Sequence, residues 1–190
     1  MATTATPNGL RPVNKIGGVP DAGSTRLIKI ASGYAANIFT GDVVKNVSSG
    51  TIEKDTGTTT ATPCGVFMGC TYTDPSSSQK VFKSYWPTGT VASDAFAYVS
   101  DDPNQLFQIQ SDETLAQTTL GNNAAIVQGT GSTTTGVSAV SLDGSTVATT
   151  NTLPLRIIDF VVGPNSAVGD TYTDVIVKFN THAYVNTTGV

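Results

Sequence analysis

The sequence predicts an all-β protein, and three features of its 190 residues support that class. Threonine is abundant, and as a β-branched residue it favours strands. Glycine occurs 19 times and, together with nine prolines, marks turns between short segments. Leucine, glutamate and lysine, which favour helices, are sparse. Together these features predict a single small β-barrel or β-sandwich domain with an extended N-terminal arm and long polar loops.

The first 25 residues are predicted to form the extended arm. They contain three prolines and four glycines and show no apolar repeat of a strand or helix. Such a segment can lie across a neighbouring subunit or remain a floppy terminus. Its candidate contact residues are Arg11, Val13, Ile16 and Val19. The all-β domain is predicted over residues 26–182, and residues 183–190 form a short C-terminal tail.

Short strands are predicted in order after the arm. RLIKI and GDVVKNV come first, and TIEKDTG is the return strand of a hairpin. CGVFMGCTY and QKVFKSYWP follow, and then SDAFAYVSDDP and NQLFQIQSDE form two strands around an Asp-rich turn. TLAQTTLGNNAAIV allows a short helix that ends near Gly121. Residues 129–151 are small and polar, which predicts either a long surface loop or a weak, exposed hairpin.

The C-terminal part carries the strongest strand pattern. TYTDVIVKFN places three apolar residues on one face: Val175, Val177 and Phe179. LPLRIIDFVVG has Leu155, Ile157 and Val161 on one face and Ile158, Phe160 and Val162 on the other. Because both faces are apolar, this strand is predicted to be buried on both sides.

The only two cysteines lie in the stretch PCGVFMGC. In a continuous strand Cys64 and Cys70 share a face with Val66 and Met68, while Phe67 faces the other side between two glycines. Their Cα atoms are then about 20 Å apart at the rise of a strand. A disulfide needs a separation below about 7 Å. Both cysteines are therefore predicted to be reduced, inert core or interface residues, and the glycine-flanked face of Phe67 is predicted to pack against another sheet or subunit.

The charges and the chemistry-bearing residues argue against several functions. A net charge of −4 without a basic run predicts no nucleic-acid or anionic-membrane partner. The single histidine, His182, is predicted to lie on the surface of the tail, and one histidine with two cysteines does not make a usual zinc site. We therefore predict no enzyme, cofactor or metal. A sugar-stacking platform of Tyr72, Tyr85 and Trp86 remains an alternative.

Two motifs in fixed order carry a resemblance to a known family. The stretch ASGYAANIFTGDVVKNVSSGTIEKDTGTTTATPCGVFMGCTYTDP resembles capsid decoration, or cement, proteins of tailed bacteriophages. In that pattern a GDVV-type strand, a polar excursion and a P-x-GVF-x-G strand follow one another. The matching residues are Gly41, Asp42, Val43 and Val44, and then Pro63, Gly65, Val66, Phe67 and Gly69. Similarity to structural proteins of marine phages extends over most of residues 1–182.

This resemblance implies a structural virion protein on the outer surface of the capsid. Its partners would be the major capsid protein and itself, as a homotrimer or a dimer, and it would stabilise the shell against internal DNA pressure. Phe67 and Trp86 join the four arm residues as candidate contacts with the capsid or another subunit. Another virion component, such as a tail or fibre part, is the alternative, followed by the sugar-binding module.

Overall fold

The computed structural model describes residues 4–185 and residue 189. It confirms the all-β class. Where a short helix was predicted, only a 3₁₀ turn over Gln117–Thr119 is present. The strands in the described part of the chain are β1 (Arg11–Lys15), β2 (Val19–Pro20), β3 (Arg26–Lys29), β4 (Ile38–Phe39), β5 (Val43–Asn46), β6 (Ile52–Lys54), β7 (Gly65–Thr73), β8 (Lys80–Lys83), β9 (Tyr85–Trp86), β10 (Phe96–Ser100), β11 (Gln105–Gln110), β12 (Asn123–Val127), β13 (Ser141–Ala148), β14 (Leu155–Phe160) and β15 (Asp174–Phe179).

The strands form two large antiparallel sheets and one small one. The seven-stranded sheet has the order β13-β12-β14-β15-β11-β1-β2. The six-stranded sheet has the order β3-β10-β7-β5-β6, and β8 pairs with the C-terminal half of β7. β4 and β9 make a separate pair. Both large sheets are open among the described residues, so of the two predicted architectures the structure is a sandwich and not a closed barrel.

Two apolar cores lie on the opposite faces of the six-stranded sheet. The first core lies between the two large sheets and combines Val43 and Val66 with residues such as Phe107, Ile157 and Val177. The second core lies on the other face, where β7 and β10 pack against the small sheet and its flanking loops. Its largest buried side chains are Trp86, Tyr72 and Phe67. The six-stranded sheet is therefore the middle layer of the molecule.

The prediction that the N-terminal segment is irregular and unpacked is wrong in its middle part. Residues Arg11–Lys15 form β1, which pairs with β11 and thereby extends the seven-stranded sheet. Leu10, just before it, is only 1% exposed and belongs to the first core. Local sequence could not show this because the partner strand lies far along the chain. The predicted boundary at residue 25 therefore does not separate an arm from a domain.

The C-terminal predictions are confirmed in one strand and corrected in the other. Val175, Val177 and Phe179 are buried on one face of β15, as predicted. In β14, by contrast, Phe160 joins Leu155 and Ile157 in the first core, and Val162 is 77% exposed. The register against β15 shifts between Ile157 and Asp159, which indicates a bulge. The bulge moves Phe160 to the core face, so this strand is not buried equally on both sides.

The polar region is more ordered than predicted, and the start of the tail is hydrogen-bonded to the fold. The C-terminal part of residues 129–151 forms β13, and Val140 and Leu142 are fully buried, so this hairpin is not a weak, exposed one. In the tail, the amide of Ala183 donates to the carbonyl of Pro63 at 2.8 Å. The rest of the predicted tail, residues 186–188 and 190, lies outside the described residues, as do residues 1–3 of the arm.

Candidate functional site

The two motif segments are neighbours in the middle sheet. Val43 of β5 pairs with Val66 of β7, and Val44 pairs with Gly65. Because consecutive strand residues face opposite sides, Val43 and Val66 enter the first core while Val44 enters the second. The motifs therefore form the strand pair that separates the two cores.

Asp42 of the first motif is a fully buried carboxylate with three partners. Its Oδ2 atom lies 3.0 Å from Lys54 Nζ and accepts the amide of Phe39 at 2.8 Å. Its Oδ1 atom accepts the hydroxyl of Ser138 at 2.6 Å. A buried charge is tolerated only when it is paired and hydrogen-bonded in this way. Asp42 thus ties β4, β5, β6 and the segment before β13 together.

Gly41 allows the N-terminal segment to approach this motif. Its φ is +94°, and a Cβ added there would lie 2.8 Å from the carbonyl oxygen of Asn8. A Cβ on Gly9 would lie 2.5 Å from the carbonyl oxygen of Gly41. The Leu10 amide donates to that same oxygen at 3.0 Å. The first motif therefore provides the docking place for the chain's own N-terminal segment.

The prediction that Cys64 and Cys70 share a face with Val66 and Met68 is wrong. Phe67 lies in the second core together with Cys64 and Cys70, while Val66 and Met68 pack on the first core. The register against β10 shifts, because Gly69 faces Tyr98 whereas Phe67 faces Val99, and Met68 is left between them. Gly69 has a φ of +139°, which permits this bulge. A break at a glycine thus moves Cys70 to the face of Phe67.

Phe67 and Trp86 are not available as contact residues on the surface. Both are 0% exposed and fill the second core. The glycines beside Phe67 bring neighbouring strands close: a Cβ on Gly65 would lie 2.5 Å from the carbonyl oxygen of Ser100. The predicted close approach of another backbone therefore occurs within the sheet, and a contact role for these two side chains is corrected.

The proposed sugar platform is likewise absent from the surface. The rings of Tyr72 and Trp86 contact each other edge to face, with centroids 5.3 Å apart, and Tyr72 is only 2% exposed. Trp86 Nε1 donates to the carbonyl of Tyr34 at 3.3 Å. Tyr85 stacks on Phe39. Stacking on a sugar requires an open ring face, which neither Tyr72 nor Trp86 offers.

A depression of about 380 Å³ is lined in part by the buried Tyr72. The ammonium of Lys83 lies 5.7 Å from the centre of that ring. A hydrogen bond with the Tyr72 hydroxyl raises the pKa of Lys83. At the rim, hydrogen bonds from Ser76 lower the pKa of Asp74. The depression is lined by an acidic residue, Asp74, a basic residue, Lys83, and two prolines, Pro75 and Pro87. This mixture does not favour one class of ligand.

The four candidate contact residues of the N-terminal segment do lie on or near the surface. Arg11 is exposed and Val13 is half-buried in β1, while Ile16 and Val19 are 45% and 54% exposed. Arg11 lines a cavity of about 100 Å³ beside Asp174. Burial raises the pKa of Asp174, although Gln110, Gln108 and Arg11 oppose the rise. The structure thus places Ile16 and Val19 on one exposed hairpin and Arg11 at the other end of β1.

Ile16 and Val19 belong to a wider surface that we call the N-terminal edge, made of residues 15–29 and the turn 101–104. Leu27 of β3 adds a third apolar side chain, 53% exposed. The turn holds the surface together: the Ile16 amide donates to the carbonyl of Asn104 at 3.0 Å. Leu27 was not predicted as a contact, yet in RLIKI two adjacent apolar residues cannot both face one core.

Two ion pairs cross the N-terminal edge. Lys15 Nζ lies 2.6 Å from Asp102 Oδ2, and Arg26 Nε lies 2.7 Å from Asp101 Oδ2. The hydrogen bond between Lys15 and Asp102 raises the pKa of Lys15 and lowers that of Asp102. The Arg26 guanidinium also lies over the Tyr184 ring, 5.1 Å from its centre, and donates to its hydroxyl. The charged groups are therefore matched within the chain.

His182 is not a surface residue, contrary to the prediction. It is 1% exposed, and its ring lies between those of Phe179 and Tyr184. Its Nδ1 atom accepts the amide of Tyr184 at 3.1 Å. Burial lowers the pKa of His182, and the nearby carboxylates of Asp101 and Asp102 oppose part of that effect. The contacts of His182 therefore attach the segment that follows β15 to the sandwich.

Both cysteines are buried and free, as predicted. Burial raises the pKa of each thiol to about 12. A thiol is nucleophilic only as its thiolate, so neither group is activated near neutral pH. The described residues contain no group of three or more His, Cys, Asp or Glu side chains arranged to hold a metal ion.

Within the described part of the chain, no helix is long and apolar enough to cross a membrane. Comparison of the chain with protein-family models, with curated proteins and with solved structures gave no match.

Proposed function

We propose that this protein is a structural virion component that decorates the outer surface of an icosahedral phage capsid. Its partners would be the major capsid protein and further copies of itself, and its role would be mechanical and not catalytic. Binding across subunit junctions of the shell would resist the pressure of the packaged DNA.

One observation carries the proposal. The GDVV and P-x-GVF-x-G segments, on which the resemblance to decoration proteins depends, are paired strands at the centre of the fold. Several motif residues have a structural task there: Gly41 admits the N-terminal segment, Asp42 is bonded to β4, to β6 and to the segment before β13, and Val66 and Phe67 enter opposite cores. Strands that lie close to one another along a chain commonly pair, so this arrangement is compatible with the resemblance, and the binding experiment below has to test it.

The mechanism would be multivalent clamping. A single subunit would make a modest contact with the shell, in which the exposed Arg11 and the half-buried Val13 of β1 are the candidate residues. Joining several subunits raises the effective concentration of each further contact, so that the assembly binds much more tightly than one subunit. The symmetry of the shell would repeat this contact at equivalent positions.

The test is add-back to expanded capsids of the virus that encodes this chain, prepared without the protein. We expect saturable co-sedimentation, on the order of hundreds of copies per particle, and increased resistance of the capsids to heat. Arg11→Glu should weaken binding, whereas Lys45→Glu, the same change on the β5–β6 hairpin, should not. Absence of binding to expanded capsids would overturn the proposal. Binding of only a few copies at the tail would assign the chain to a tail or fibre instead.

A further inference from the structure

We infer that the N-terminal edge, residues 15–29 with the turn 101–104, packs against the same edge of a second copy of this chain. The partner is thus this protein itself, and the contact is made by apolar side chains surrounded by matched charges. The inference does not depend on the proposed function, since it concerns the protein free in solution.

The first reason is the concentration of exposed apolar side chains at this edge. Ile16, Val19 and Leu27 are 45%, 54% and 53% exposed. Ile16 is hydrogen-bonded to the turn that joins the two large sheets, whereas Val19 pairs with Lys15 and Leu27 follows Arg26, the two residues that form ion pairs with that turn. Leu27 pairs across the strands with Tyr98, which is itself only half-buried. Exposed apolar residues are normal one at a time, but a group of them at one edge indicates an interaction surface.

The second reason is charge, and it selects a second copy as the occupant. The whole chain carries a net charge of −4. The N-terminal edge carries three basic residues, Lys15, Arg26 and Lys29, and three acidic ones, Asp21, Asp101 and Asp102, so its formal charge is zero. Two copies that met on the acidic remainder of the surface would repel each other, whereas two neutral edges do not.

The charged groups of the edge also suit a copy of itself. Lys15 and Asp102, and Arg26 and Asp101, are already paired at 2.6 and 2.7 Å within one subunit. A strongly charged partner would have to break these pairs or bury them without compensation. An identical edge brings both signs in equal number, so the pairs can remain at the rim while the apolar residues meet.

The contact should be made by side chains and not by continuation of a sheet. β3 is a free edge strand, but an antiparallel pairing of its four residues with a second β3 would place Arg26 opposite Lys29. Like charges directly opposite each other destabilise a strand pair. β2 contains Pro20, which has no amide hydrogen to donate to a ladder. Both strands thus disfavour edge-to-edge hydrogen bonding.

The experiment is sedimentation equilibrium of the full-length chain over a range of concentrations. We expect a dimer that dissociates on dilution, because a contact between two identical edges closes at two copies, and the double substitution Val19→Lys with Leu27→Lys should shift the chain to a monomer. Val162→Lys is the matched control, because Val162 is 77% exposed away from this edge and its replacement should leave the oligomer unchanged. A wild-type chain that is monomeric at every accessible concentration would overturn the inference.

A second measurement keeps the inference testable if the lysine variants fold poorly. In the otherwise unchanged chain, nitroxide labels are attached at Ala22→Cys or, as a control, at Ser145→Cys; both positions are exposed, whereas the native thiols are buried. Electron-spin coupling between subunits should be strong for the label at position 22 and weak for that at 145. The reverse order would place the contact elsewhere. A chain that self-associates but fails to bind capsids would support this inference and overturn only the proposed function.

Discussion

At the scale of single residues, the buried carboxylate of Asp42 connects three separate parts of the chain. We expect Asp42→Ala to lower the free energy of unfolding by about 3–5 kcal/mol, because the ammonium of Lys54 would lose its partner in a largely buried position. The amide of Phe39 and the hydroxyl of Ser138 would also lose their acceptor. Denaturation by urea, followed by tryptophan fluorescence from the buried Trp86, measures the change.

Glu113→Ala is the matched control for that experiment. Glu113 is an exposed carboxylate in a loop, and its truncation should change the free energy of unfolding by no more than about 0.5 kcal/mol. Equal effects of the two substitutions would mean that the network around Asp42 adds nothing beyond an ordinary surface charge.

The buried imidazole of His182 predicts a dependence of stability on pH. Burial lowers its pKa in the folded protein, so the unfolded chain binds a proton first as the pH falls. The contribution of His182 to the free energy of unfolding is therefore fully present above the unfolded pKa of about 6.5. It declines as the pH falls below that value, until the pKa of the folded state is passed. One group can contribute a slope of at most about 1.4 kcal/mol per pH unit.

Urea denaturation between pH 7.5 and pH 5.5 would measure this decline. His182→Gln should remove the slope in that interval, because His182 is the only histidine of the chain. The comparison uses the change in the free energy of unfolding with pH and not its absolute value, so the variant remains informative even if it is less stable than the native protein. An unchanged slope in His182→Gln would assign the dependence to another group.

At the scale of strands, alternation predicted the sheet well wherever a strand was regular. β15 buries its three predicted apolar residues, and the β5–β6 hairpin closes across Val47–Gly50 as expected. It failed at bulges, which shift the faces by one residue: Cys70 and Phe160 were assigned to the wrong side. A bulge is set by the partner strand, and so local alternation cannot locate it.

The bulge in β7 predicts the effect of one small substitution. Gly69→Ala should destabilise the protein by about 1–3 kcal/mol, because a φ of +139° is essentially restricted to glycine. The added methyl group would also lie 3.0 Å from the carbonyl oxygen of Lys83 in β8. Thermal unfolding monitored by circular dichroism provides the comparison.

Gly163→Ala is the control for Gly69→Ala, because Gly163 lies in the connection between β14 and β15. Gly163 has no positive φ, and no atom lies within 4 Å of a Cβ added there. Its replacement should leave the unfolding midpoint unchanged or raise it slightly, since alanine restricts the unfolded chain. A loss of stability equal to that of Gly69→Ala would show that bulge geometry is not the cause.

The candidate site was predictable only in part, because the burial of a side chain, like the position of a bulge, depends on segments that are distant in the sequence. Ile16 and Val19, which were predicted as contact residues, are exposed and so accessible to a partner, but Trp86 and Phe67 are core residues, since a large aromatic side chain is at least as useful in a core as at an interface. Which of these roles applies depends on what packs opposite each strand. That information lies in the pairing of distant segments, as between β1 and β11.

At the scale of the whole molecule, the N-terminal segment is part of the fold and not an appendage. β1 covers the edge of β11, Leu10 is buried in the first core, and Gly9 lies against Gly41. We expect Leu10→Ala to cost about 2–5 kcal/mol, the range for removing a buried leucine side chain. Ile16→Lys, on the exposed hairpin of the same segment, should stay within about 0.5 kcal/mol of the native protein.

This difference decides how any binding role of the segment is to be tested. Deletion of residues 1–20 would remove β1, β2 and Leu10 together, and we expect it to lower the thermal midpoint strongly, because it opens the first core and exposes β11. Lost binding by that deletion could then be a consequence of unfolding, whereas Ile16→Lys separates binding from folding. A deletion variant that unfolds at the native midpoint would show instead that the segment contributes to contacts alone.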